Sequence, residues 1–192
     1  APYYWPSARG RAPNISASTH AGPQNLSDTF AWEWHHPDGK YNTFTTGTVL
    51  DEKMNIYLGA YDGIRKFTPD GALLWTFATH SNIPTVPSLM GGKLFGNTVS
   101  GKVFALDMDN GQEVWSNVAA PSIGADTACV GSTDGIVVTA TDHCQTHICQ
   151  QNGYTGNRVV RGLNASDGAQ LWQYKPEAAM WNFMPLFTGA DS

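Results

Sequence analysis

Short runs in which apolar and polar residues alternate recur along this chain, separated by turn-forming residues. Residues 101–115, GKVFALDMDNGQEVW, are the clearest case: one run, an Asn-Gly turn, and a second run ending in Trp115. Residues 63–77, GIRKFTPDGALLWTF, and residues 157–174, NRVVRGLNASDGAQLWQY, repeat the pattern. Gly71, Gly111 and Gly168 each stand four positions before a tryptophan, at Trp75, Trp115 and Trp172. Asp-Gly and Asn-Gly supply the positive φ of a two-residue hairpin turn, so each copy predicts a β-hairpin. A further strand is predicted before each hairpin, at 55–60, 93–98 and 136–141, and a fourth before that, at 44–50, 84–90 and 125–130. No segment keeps a 3.6-residue apolar period over three turns, which argues against a helical repeat.

Trp75 and Trp115 are 40 residues apart, and Trp115 and Trp172 are 57 apart, the excess falling in a loop at 142–156. Four short strands in roughly 40 residues is the signature of a propeller blade. The expected fold is therefore all-β: a propeller of four-stranded antiparallel blades at about 44–77, 84–117 and 125–174. A wide ring at the end of an outer strand can cover the joint between neighbouring blades, and truncating such a buried ring costs about 3–5 kcal/mol. The tryptophans and their glycines are read as architecture.

The pattern A-L-D-x-x-x-G-x-x-x-W at 105–115 resembles the repeat of the pyrroloquinoline-quinone-like (PQQ-like) β-propeller family. The opening is similar too: Trp5-Pro6-Ser7-Ala8-Arg9, then Gly22-Pro23, then Phe30-Ala31-Trp32-Glu33-Trp34. The resemblance implies that residues 1–28 form a lead-in and 29–192 a partial propeller, with Trp32 on the outer strand of the blade that closes the ring. Family rings usually hold seven or eight blades. Here three are complete and a fourth starts near 182–187, so completion by a longer polypeptide or by another chain is expected. Some members are quinoprotein dehydrogenases with an adjacent cysteine pair, a calcium site and an Asp base. This chain has no adjacent cysteines, and the resemblance implies a non-enzymatic member with no catalytic residues and no cofactor. Relatives of this kind include an outer-membrane barrel-assembly lipoprotein and sensor domains of kinases. A fragment of a quinone-dependent dehydrogenase, or a ligand-sensing propeller, is the alternative.

Composition narrows the partners. Charged residues make up 14% of the chain and the net charge is −5, without the basic stripe a nucleic-acid partner needs. No apolar run approaches the roughly 20 residues that span a bilayer. The chain opens on Ala1 without an initiator Met, as a processed or a trimmed chain would. Asn14, Asn25 and Asn164 begin sequons for N-glycosylation. A well-kept architectural repeat without a catalytic constellation favours a protein-binding scaffold or accessory subunit, and the sequons tilt the setting toward secreted, periplasmic or organelle-lumen. The densest chemical cluster is Asp142-His-Cys-Gln-Thr-His-Ile-Cys149. His143 and His147 with Cys144 and Cys149 are weak metal candidates, since the stretch does not read as a helix that would align them. A Cys144–Cys149 disulfide, free thiols and a metal site all remain open, with the disulfide favoured in an oxidising compartment and Cys129 left free. Asp62, Asp70, Asp107, Asp109, Asp134 and Asp167 read as turn residues, and His35-His36 as a surface turn.

Overall fold

Each alternating segment becomes a strand of an antiparallel meander. In the computed structural model, residues 3–10, 17–18, 31–39, 47–120, 122–123, 129–144, 146–152 and 155–187 are described. The first sheet holds β1 (Thr48–Leu50), β2 (Ile56–Ala60), β3 (Gly63–Phe67) and β4 (Leu73–Ala78). The second holds β5 (Ser88–Met90), β6 (Lys93–Asn97), β7 (Lys102–Asp107) and β8 (Glu113–Val118). The third holds β9 (Gly131–Thr133), β10 (Ile136–Thr141), β11 (Val159–Asn164) and β12 (Gln170–Tyr174), with a short helix α1 (His147–Gln151) between β10 and β11. In every sheet the strands follow one another in chain order, as in a propeller blade.

The apolar runs bury both faces of the middle blade. Successive strand residues point to opposite faces, so Phe104 and Leu106 enter a core shared with Tyr57 and Ile64 of the first blade. Val103 and Ala105 enter a second core with Val137 and Leu163 of the third. The cores therefore lie between blades. Between the first and second blades Lys66 is buried and donates from Nζ to Met108 O at 2.8 Å, with Asp51 Oδ2 3.9 Å away. Asp51 also accepts the Tyr57 hydroxyl at 3.0 Å.

The glycine turns are wider than the two-residue form expected. Phe67 pairs with Leu73, Leu106 with Glu113 and Leu163 with Gln170, each beside a register shift. Only the glycine of each turn has positive φ, at 84°, 73° and 76° for Gly71, Gly111 and Gly168. The extra residues let Asp107 and Asp167 fold back onto backbone N–H groups, at 2.8 Å from Asp109 N and 2.9 Å from Ala169 N. They also turn the glycine outward to receive the tryptophan of the blade before. Trp75 lies on Gly111 and donates from Nε1 to Met108 O at 3.1 Å. Trp115 lies on Gly168 and donates to Ala165 O at 3.0 Å. Trp32 lies on Gly71 and donates to Pro69 O at 2.8 Å.

The innermost strand of the third blade runs over Gly131–Thr133; of the span expected for it, 125–130, residues 125–128 lie outside the described residues. Asp134 and Gly135, with φ of 45° and 78°, form the two-residue turn into β10, with Thr133 paired to Ile136. That turn sets the register.

Replacing Gly111 separates backbone strain from docking. A Cβ there would meet the Trp75 ring at 2.7 Å, whereas one at Gly135 meets nothing within 4 Å. In urea denaturation, Gly135→Ala is expected to lose about 1 kcal/mol from its left-handed backbone. Gly111→Ala is expected to lose roughly 2 kcal/mol more than that, because the ring must lift off the blade.

Candidate functional site

Residues 31–36 lie as an extended strap on the first blade, with Trp32, Trp34 and His36 inward and Ala31, Glu33 and His35 exposed. Trp34 meets the Arg65 guanidinium at 4.9 Å from its ring centroid, and Phe67 at 5.7 Å. His36 is buried, against the expectation of a surface turn, because its ring reaches a charged pair on the blade. Its Nε2 is 3.1 Å from Asp62 Oδ2, and its Nδ1 accepts from Asp38 N at 3.1 Å. Arg65 binds both oxygens of Asp62 at 2.7 Å. Asp62 is thus an anchor for the strap as well as a turn residue. Hydrogen bonds from Arg65 hold its carboxyl well below the usual range, against partial burial and with help from His36.

The inner strands border a cavity of about 440 Å³. Leu89, Met90, Cys129 and Ser132 line it, together with residues 6–10 and the segment ending at Phe187. Trp5 exchanges backbone bonds with Leu50 at 2.9 and 2.8 Å, and Leu89 N donates to Pro6 O at 2.8 Å. The N-terminal stretch therefore lines the inner ends of the blades, which the sequence reading did not foresee. The segment expected to begin a fourth blade also folds here, with Cys129 N donating to Phe183 O at 2.8 Å. Cys129 is a free thiol. Burial pushes it up, with Arg9 opposing, so little of it is thiolate at neutral pH.

In the long loop Cys144 and Cys149 form a disulfide with Cα atoms 6.1 Å apart. Contrary to expectation, a helix does form here, capped by Thr146, whose side chain accepts from Cys149 N at 3.3 Å. It begins at His147, so His143 stands outside it and the two imidazoles do not share a helical face. His143 instead meets Trp181 edge-on at 5.9 Å. Among the described residues no three His, Cys, Asp or Glu side chains gather as a metal site. Asn164 accepts from Ser166 N and Oγ at 2.9 and 2.8 Å; Asn14 and Asn25 lie outside the described residues. Trp172 is 42% exposed and folds over Gly162 of its own sheet. No helix among the described residues is long and apolar enough to cross a membrane.

Two outcomes follow. Because the Asp62 carboxyl is lowered in the folded protein, its contribution is present above the unfolded value of about 3.9 and is lost as pH falls below it. Asp62→Asn is expected to cost at most about 1 kcal/mol at pH 7, given solvent screening, and to flatten the acid limb of the stability profile in urea. Iodoacetamide is expected to label Cys129 in the folded protein at pH 7 several-fold more slowly than free cysteine, with the rate rising toward pH 9; mass spectrometry reads the modification.

Solved structures share this fold. BamB from Moraxella catarrhalis aligns over 71% of this chain and 38% of its own, at 20% identity and a TM-score of 0.53. Quinohemoprotein alcohol dehydrogenase from Comamonas testosteroni aligns over 70% and 21%, at 18% identity and 0.54. The computationally designed Ika4 protein aligns over 78% and 82%, at 17% identity and 0.57. Such identities show the fold alone, and the chain spans between about a fifth and two fifths of the first two proteins. A comparison with curated protein sequences finds no match. The family model described as outer membrane protein assembly factor BamB matches residues 59–185. With well over half of its length so matched, the chain belongs to this PQQ-like repeat family.

Proposed function

We infer that the chain acts as a non-catalytic protein-binding scaffold, an accessory part of a larger assembly outside the cytosol. The observation that carries this reading is the outer strand of the third blade. Leu171, Trp172 and Tyr174 are 52%, 42% and 61% exposed there, whereas Trp115, at the same position one blade earlier, is 8% exposed. A ring that its neighbour would bury is left on the surface, and a cluster of exposed apolar side chains of this kind marks an interaction site. Family membership and the disulfide support the scaffold role and the extracytoplasmic setting. The ring is completed by further blades, from the same polypeptide or from another chain.

Light scattering on the native protein tests this. A particle well above 20.8 kDa is expected, reduced in size or abundance by Tyr174→Glu on β12. A monodisperse monomer at that mass overturns the reading. Ligand sensing is a second reading, favoured by the inner cavity of about 440 Å³. The dehydrogenase alternative draws only on the shared fold. Dye reduction by the native protein with added quinone, calcium and an alcohol would favour it, and none is expected.

A further inference from the structure

The three joints share one frame but are filled differently. Arg65, Phe104 and Arg161 occupy the same register position, each just before the residue that pairs with the blade's tryptophan. The residue two beyond the tryptophan of the preceding outer segment holds the matching sequence place across each joint. At the first joint this is Trp34, against Arg65. At the second it is Phe77, 5.3 Å from Phe104 between ring centroids. At the third it is Asn117, whose Nδ2 turns to donate to Gly168 O at 3.1 Å. Among the described residues no aromatic ring covers Arg161.

The first and third joints also share an Arg–Asp pair. Arg161 binds Asp142 at 2.9 Å, as Arg65 binds Asp62. The first pair lies under Trp34 and His36, with the Arg65 side chain 7% exposed; at the third joint Asn117 and Ala119 hold the corresponding places, and the Arg161 side chain is 14% exposed. A concavity of about 230 Å³ lies over this second pair, lined by Asp142, Arg158, Arg161, Gln173 and Lys175.

The charges in this concavity are unequally satisfied. Arg161 donates in its plane from Nε to Thr141 Oγ1, from one terminal nitrogen to Gln170 and Gln173, and from the other to Asp142. The side chain is 14% exposed and lines the concavity, so what it has left to offer there is a face of the guanidinium. Among the described residues Arg158 engages only its Nε, with Asp142 O at 3.3 Å, and Lys175 has no side-chain partner. Three cations thus face one carboxylate, in a chain whose net charge is −5.

We propose that this concavity binds a single-ring aromatic carboxylate. The ring lies on the Arg161 guanidinium, as Trp34 lies against Arg65, and the carboxylate takes the donors of Arg158 and Lys175. Cation–π contact and charge-assisted hydrogen bonds are the interactions those groups have free. A free aromatic acid and a polypeptide ending in phenylalanine both present this chemistry.

The test is a proton–nitrogen NMR titration of the full chain at fixed ionic strength, which removes general screening effects. Benzoate, acetate and benzyl alcohol serve as probes. Benzoate is expected to shift the Arg161 Nε–H signal saturably, with affinity at least tenfold above either partial probe. The double variant Arg158→Gln, Lys175→Gln is expected to weaken benzoate at least tenfold. Asn117→Phe, which supplies the ring found at the second joint, is expected to abolish binding while keeping or raising the melting temperature. Displacement of benzoate by an acetylated peptide ending in phenylalanine assigns the site to a polypeptide end; failure to displace assigns it to a free acid. Benzoate binding no tighter than acetate, or unaffected by both variants, overturns the proposal.

Discussion

An indole ring lying on a glycine of the next blade is the contact on which this architecture depends. It asks two things of residues far apart in the chain. The tryptophan must sit at a fixed register on an outer strand, and the glycine must lack a Cβ and hold a left-handed backbone at the tip of a turn. Trp75 on Gly111 and Trp115 on Gly168 meet both demands, each adding one hydrogen bond from the indole to a turn carbonyl. The shared cores then follow, since this contact holds neighbouring sheets at the spacing that lets Phe104 reach the first blade and Val103 face the third.

The repeat was legible because its demands are written in fixed offsets: a glycine, then a tryptophan four residues on, after two alternating runs. What was not legible depends on partners distant in sequence or on balances too local for periodicity. His36 reads as a turn residue until Asp62 and Arg65 are brought to it by the strap. The glycine turns are wider than their Asp-Gly and Asn-Gly pairs predict because a ring on another blade also sets their length. Helix α1 spans five residues and makes no apolar period; a Thr146 cap and a disulfide hold it. The disulfide itself was one of three open states for a cysteine pair five apart.

Variation between joints shows where a repeat fold has freedom. The register position taken by Arg65 in the first blade holds phenylalanine in the second and arginine again in the third, with Trp34, Phe77 and Asn117 opposite. At the third joint an amide stands in the place of a ring while the docking of Trp115 is intact, and a concavity lies beside the charged pair of that blade. Site chemistry can therefore change there without disturbing what holds the blades in order. The inner cavity is a different kind of space, lined by residues 6–10 and by the inner strands of the second and third blades.

Docking is a rule between nearest neighbours. Each tryptophan consults one glycine, and nothing in a blade records how many others exist. Blade number is thus free to drift while every contact stays the same, and a gene encoding such a chain can grow or shrink by copying whole repeats. The blades grammatically agree in pairs, so closure is a property of the count and the curvature they add up to.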